Sequence, residues 1–187
     1  MTVAGLVTIA VGLMLVSRMT VDARYLDLLW PLLIMSAGLG LCTAPATYAI
    51  IAETPESKHG VAAAVNDAAR EIGAAMGIAV AGSVLAAGYT RHIQPALPQL
   101  PEPARGPVSD SLAAALEIAA QAGPMAQPLV DYAKEAFVNG SSQATLTLAI
   151  LTAAAAVLLA ILAPGTAPRD HKTTASSTAP AHRDSVG

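Results

Sequence analysis

Charge is scarce in this sequence. Only 12% of its 187 residues are Asp, Glu, Lys or Arg, about half the share usual in a soluble domain. Acids outnumber bases by 13 to 10, for a net charge of −3, which argues against a nucleic-acid partner, because that would need a basic face. Aromatic residues are only 3% of the chain, with one Trp and one Phe. The single cysteine, Cys42, rules out an internal disulfide. Lying between Leu41 and Thr43 in an apolar run, it reads as a small buried side chain rather than a reactive thiolate.

The four histidines, His59, His92, His171 and His182, include no i, i+4 pair, so no two of them share a helix face as metal ligands, and neither a metal site nor a cofactor is expected. No nucleophile elbow, phosphate loop or dinucleotide fingerprint is present. The expectation is therefore a protein that is not an enzyme and has no catalytic residue. A cleavable signal is also not expected. The first apolar run has no base in front of it and no small-x-small site behind it, and Arg18 stands at its far end.

What the chain has instead is apolar surface in blocks. Hydrophobic residues make up 54%, and the blocks are separated by charged stretches, the pattern of spans and loops. The bias to Ala and Gly suits helices whose backbones approach closely within lipid. The fold class expected is all-α integral membrane with four transmembrane helices, over residues 2–17, 28–52, 61–88 and 144–163. The first is about 24 Å long against a hydrocarbon core of about 30 Å, as if the chain began partway through a longer design. In the second, Trp30 sits at interfacial depth, Pro31 falls in the first turn, and Pro45 should break or kink the helix. The connection 89–140 opens with a proline-rich stretch, Gln94 to Pro107, that reads as extended. Two amphipathic stripes follow. Leu112, Ala115, Leu116 and Ala119 form the first. Leu129, Tyr132, Ala133, Ala136 and Phe137 form the second, with Pro128 in its first turn and Asp131 able to pair with Lys134. These helices could form a lid over a pathway or, more plainly, a spacer packed on the ends of the spans. Residues 164–187, rich in Ser, Thr, Ala and Pro, are expected to be disordered.

Asp67, Arg70 and Glu71 interrupt the third span. A charge at the centre of a transmembrane helix costs about 2.5–3.5 kcal/mol on insertion scales, so three together require compensation. Asp67 and Glu71 are i, i+4 neighbours, and Arg70 reaches Asp67 at i, i+3. Asn66, Gly73 and Gly77 extend the same arc, the last two as a small-xxx-small pattern for helix packing. Val65, Ala68, Ala69, Ile72, Ala75, Met76 and Ala79 fill the opposite arc. The polar arc should look into protein or a water-filled cavity, and the apolar arc can meet lipid. Glu71 lies about 15 Å inside, near mid-membrane. One reading makes Arg70 the structural charge partner of an acid. It leaves a second carboxylate without an intrahelical partner, so Asp67 and Glu71 are the candidate residues for binding a proton, a cation or a substrate.

The series Gly38-Leu-Gly40-Leu-Cys-Thr-Ala-Pro45, the loop Pro55-Glu56-Ser-Lys-His-Gly60, and the helix Val61-Ala-Ala-Ala-Val-Asn66-Asp67-Ala-Ala-Arg70-Glu71-Ile-Gly73-Ala-Ala-Met-Gly77-Ile-Ala-Val-Ala-Gly82-Ser83 resemble the major facilitator superfamily. Within it they are similar to the fourteen-helix drug/proton antiporters of the EmrB/QacA type, at the twelfth and thirteenth helices. Ala136-Phe137-Val-Asn139-Gly140 resembles the approach to their last helix. The resemblance, which runs to about Ala163, implies the last four helices of such a transporter, a C-terminal fragment in a multi-pass bacterial inner (plasma) membrane. It also implies proton-coupled multidrug efflux of a hydrophobic or cationic small molecule, with the acids of the thirteenth helix used in protonation or cation recognition. The partners implied are the lipid bilayer, protons, the substrate, and the missing N-terminal half of the transporter. The family's coupling motifs belong to that half and are absent here. Four helices do not form the two repeats between which transporters bind substrate. The competing reading is a small four-span membrane protein that self-associates or assists a partner without transporting anything.

Charge does not orient the chain. By the resemblance, residues 89–140 are extracytoplasmic and the 53–60 loop and the tail are cytoplasmic. In a Cys42→Ser background, Glu102→Cys should react with an impermeant maleimide in intact cells and Ser176→Cys should not. The reverse pattern would invert the topology.

Overall fold

The computed structural model describes residues 1–162, and among these every regular element is helical. The helices are α1 (Thr2–Val16), α2 (Tyr25–Ala52), α3 (His59–Ile93), α4 (Glu102–Asp110), α5 (Leu112–Ala122) and α6 (Gln127–Leu162), with 3-10 turns at Glu56–Lys58, Gln94–Gln99 and Pro124–Ala126. Apolar segments of this length become helices in lipid because only intrahelical bonding satisfies each backbone N–H and C=O. Three helices, α2, α3 and α6, are long and apolar enough to cross a membrane; α1, with 15 residues, is a shorter apolar helix. Segment 164–187, expected to be disordered, lies outside the described residues.

Several boundaries differ from the sequence reading. Helix α2 begins at Tyr25, so Pro31 lies a turn deeper than its first turn, and the helix continues through Pro45 without a break. The proline-rich stretch is not extended: it forms the Gln94–Gln99 turn and then α4, with Pro103 in the first turn and Pro107 inside. Short helices tolerate this spacing because a proline near the start lacks only an N–H that would be unbonded anyway. The second amphipathic stripe and the fourth apolar run form one continuous helix, α6, of 36 residues. At about 1.5 Å per residue, α3 and α6 each exceed 50 Å, far more than a bilayer core requires. Part of each helix therefore stands beyond such a core.

Among the described residues, a compact apolar cluster sits at the outer ends of these two helices, the C-terminal end of α3 and the N-terminal end of α6. Tyr89 and Ile93 of α3, Val108 of α4, Ala115 of α5, and Ala133 and Ala136 of α6 are buried together. Leu97, Leu100, Leu112, Ile118, Leu129 and Tyr132 pack around them. Polar groups close this cap at its helix ends. The Tyr89 hydroxyl donates to the Val108 carbonyl at 2.9 Å, and Thr90 Oγ1 donates to the Ser109 carbonyl at 3.3 Å, so two of the four orphan carbonyls at the end of α4 find donors on α3. Ser111 caps α5 by accepting from the Ala113 N–H at 3.1 Å, an arrangement favoured at helix starts. Gly123 ends α5 at φ 75°, where a side chain would be strained.

Among the longer helices and α1 the order in space differs from the order in sequence. Helix α1 lies between α2 and α6, and α6 lies between α1 and α3, while the consecutive α2 and α3 share only a small contact. The crossings are made by glycine. A Cβ at Gly5 would stand 2.7 Å from the Gly38 carbonyl, and one at Gly38 would stand 2.8 Å from the Gly5 carbonyl. A Cβ at Gly88 would stand 2.7 Å from the Gly140 Cα, and one at Gly140 would meet the Leu85 carbonyl at 2.7 Å. Backbones pack this closely in lipid because dispersion between them, and not hydrophobic exclusion, holds membrane helices together.

Gly88→Leu or Gly140→Leu should cost about 1–3 kcal/mol or more, since backbone and not a flexible side chain must give way. Tyr89→Phe should cost about 1–3 kcal/mol by leaving a buried carbonyl unbonded. Thermal unfolding in detergent, read by size exclusion, checks both. A Gly88→Leu variant with wild-type Tm would contradict this packing.

Candidate functional site: the polar stripe of α3

At about 100° per residue, Asp67, Arg70, Glu71, Ala74, Gly77, Ala81, Leu85, Gly88 and Tyr89 fall on one stripe of α3. Its outer end is the α6 contact: Gly88 and Tyr89 are buried there, and the Gly140 backbone lies against both Leu85 and Tyr89. Toward the start of α3 the same stripe loses its partner. Asp67, Arg70, Glu71 and Ala74 are exposed, and Gly77 is half-buried. The three charges therefore continue a packed face and lie across α3 from the apolar arc of Ile72 and Met76.

The structure divides the expected site residues. Asp67 and Arg70 join Asn66, Ala63, Thr47 and Ile50 in lining a shallow cleft of about 230 Å³ between α2 and α3. Glu71 is not among the residues lining it. Among the described residues, none of the three charged side chains takes part in an ion pair or hydrogen bond, so Arg70 has not closed onto Asp67. Gly73 and Gly77, expected to pack against a helix, face open space: a Cβ at either would meet nothing within 4 Å. The expected Asp131–Lys134 pair does not form either, since Asp131 accepts from Gln127 Nε2 at 3.0 Å.

Two cavities were not anticipated. One, of about 720 Å³, lies between the α1–α2 connection and α6, with Asp22, Asp131, Lys134 and Glu135 in its wall. The connection is tied to α6 by the Ser142 hydroxyl, which donates to the Ser17 carbonyl. The other, of about 470 Å³, is an apolar groove between α1 and α6, lined by residues such as Val7, Val11, Ile150 and Val157. The sequence shows which faces are polar and which are not, but not that these segments meet. The Gly88–Gly140 crossing escaped notice for the same reason, since nothing in the local pattern pairs two glycines 52 positions apart. Among the described residues, no group of three or more His, Cys, Asp or Glu could hold a metal ion.

The chain is similar to known drug transporters. It is 28% identical to the multidrug efflux pump LfrA of Mycolicibacterium smegmatis over 160 residues, which are 85% of this chain and 32% of the pump. It is 37% identical to the multidrug resistance protein Stp of Mycobacterium tuberculosis over 68 residues, 36% of this chain and 13% of Stp. The chain thus spans about a third of the longer match. No family model and no solved structure matches it. The similarity to these transporters is consistent with the all-helical, apolar architecture of this chain.

Because neither carboxylate of the stripe has a partner within the described residues, Asp67→Asn and Glu71→Gln should leave the Tm of this chain in detergent unchanged. A clear fall in Tm for either would identify that acid as a structural group.

Proposed function

We propose that this chain is the C-terminal portion of a proton-coupled multidrug efflux transporter of the major facilitator type, in its fourteen-helix EmrB/QacA-like form, embedded in a bacterial cell membrane. In this reading α1, α2, α3 and α6 are four spans. Helix α1 crosses despite its length because it is sheltered between α2 and α6. The observation that carries the proposal is the similarity to LfrA along 85% of the chain, and it gains support from the charges of α3. Membrane proteins carry such charges where a pathway, a substrate site or a partner helix compensates their cost.

Asp67 and Glu71 take the role of proton or cation acceptors, and Arg70 that of the charge partner of Asp67. The two acids are not equivalent. Glu71 is one helical turn farther from the 53–60 loop, whereas Asp67 shares its cleft with the Arg70 guanidinium. A carboxylate deep in lipid and without a fixed cation is the one whose charge a proton or a cationic substrate must neutralise. The substrate is a hydrophobic or cationic small molecule, bound between this segment and the rest of the transporter, because transporters of this kind bind at the interface of their repeats.

In the complete transporter, Glu71→Gln should reduce proton-driven drug efflux to near background, and Asp67→Asn should reduce it less. The measurement is efflux from vesicles against external pH, normalised to folded protein in the membrane. If Glu71→Gln keeps the wild-type rate and pH dependence, the carboxylate takes no part in coupling.

A further inference from the structure

The charged cavity and the apolar groove lie on the same side of one seam, that between α1 and α6. On α6, Glu135, Asn139 and Ser142 line the cavity, and Leu146, Ile150 and Val157 line the groove. These positions follow at helical spacing, so a single stripe of α6 runs through both. On the facing wall α1 lines the groove from Val3 to Met14, and the connection after it brings Asp22 to the cavity. Only the turn from Ser142 to Leu146, about 6 Å of helix, separates the two. Along α1 the groove is about 16 Å long, against about 15 Å for one leaflet of the hydrocarbon core. No polar side chain lines it, and Ile150 and Val157 are 61% and 59% exposed. The cavity begins where the apolar runs end, and its wall holds both signs of charge, Lys134 with Asp22, Asp131 and Glu135.

We propose that this seam binds one phospholipid with a primary-amine headgroup, of the phosphatidylethanolamine class. An acyl chain lies in the groove, the phosphate meets Lys134, and the ammonium meets Asp22 and Glu135. The inference needs only a chain set in a bilayer and stands apart from the efflux reading. The groove by itself selects no occupant, since acyl chains are as apolar as leucine. The cavity at its mouth does. Apolar for one leaflet and then charged within a turn is the order of groups along a lipid. Three carboxylates against one ammonium disfavour an anionic headgroup that brings no cation of its own. A zwitterion meets both signs at once. A primary ammonium also has three N–H donors for carboxylate oxygens, whereas a choline group has none. Asp131 accepts from Gln127 Nε2 at 3.0 Å and is held to its own helix, which leaves the acids of the two facing walls for the headgroup. The Ser142 hydroxyl, by donating to the Ser17 carbonyl, fastens one wall to the other.

The test is native mass spectrometry of the full chain in detergent holding a fixed low fraction of one lipid. The lipids are phosphatidylethanolamine, phosphatidylcholine and phosphatidylglycerol with identical tails. The chain should retain one phosphatidylethanolamine and hold the other two about tenfold more weakly, the worth of one hydrogen bond to a charged group. Asp22→Asn with Glu135→Gln should remove the preference for amine over choline, and Lys134→Ala should weaken both zwitterions. Ala153→Trp, which fills the groove, should lower retention of all three lipids, whereas Ile72→Trp, on α3, should not. All five positions are exposed, and size exclusion checks that each variant is folded. Equal retention of phosphatidylethanolamine and phosphatidylcholine, or a preference for phosphatidylglycerol, overturns the headgroup assignment and with it the site. Undiminished retention by folded Ala153→Trp overturns the groove as the seat of the chain. A lipid-free dimer that Ala153→Trp dissociates overturns the proposal in favour of a second copy.

Discussion

The contact on which the arrangement depends is the crossing of α3 and α6 at Gly88 and Gly140. There two backbones meet with no side chain between them, and a single added Cβ would stand 2.7 Å from the opposing main chain. The crossing lies just inside the cap, whose core begins one residue later at Tyr89. It therefore joins two long helices at one level and lets them differ below it. Helix α6 goes on to pack with α1, while α3 carries its charged stripe away from its neighbours.

The cap serves this geometry. Its α4 and α5 helices are too short to be stable by themselves, and isolated helices of their length are marginal in water. They persist because Tyr89 and Thr90 supply donors to the end of α4, and because Val108, Ala115, Ala133 and Ala136 bury one another. Arg105 adds a further tie, donating to the Leu100 carbonyl at 3.0 Å. The amphipathic stripes between the third and fourth apolar runs thus act first as a brace on the outer ends of α3 and α6. At the opposite end, the 53–60 connection is held by the His59 ring, which donates to the Thr54 carbonyl at 2.8 Å, and by the Thr54 hydroxyl, which donates to the Ile50 carbonyl at 2.6 Å. Helices α2 and α3 are therefore tethered at one end, and their open glycines lie beyond the tether.

The stripe of α3 joins the packing to the proposed chemistry. This face is apolar near the cap, where it meets α6 through dispersion at Gly88, and charged farther in, where Asp67, Arg70 and Glu71 are exposed. Apolar surface alone would be indifferent between lipid and protein, since acyl chains are as apolar as leucine. Asp67, Arg70 and Glu71 are not indifferent, because a charge in lipid needs a counter-ion, a hydrogen bond or water.

The existence of the membrane helices was written in the apolar runs, because a backbone without water has no alternative to intrahelical bonds. The amphipathic stripe of α5 and the polar arc of α3 were equally readable, since both are periodicities within one helix. Other features depended on contacts between segments far apart in the chain. Pro45 did not end α2, the proline-rich stretch became helical, and the second stripe merged with the last apolar run. In each case local propensity is worth a few kcal/mol at most, and packing can override it. The pairing of Gly88 with Gly140 and of Gly5 with Gly38, the placement of α1 between α2 and α6, and the separation of Glu71 from the cleft that holds Asp67 and Arg70 were decided by tertiary structure alone. A sequence states which face of a helix can approach another. Which helix approaches it depends on how all the faces are shared out in three dimensions.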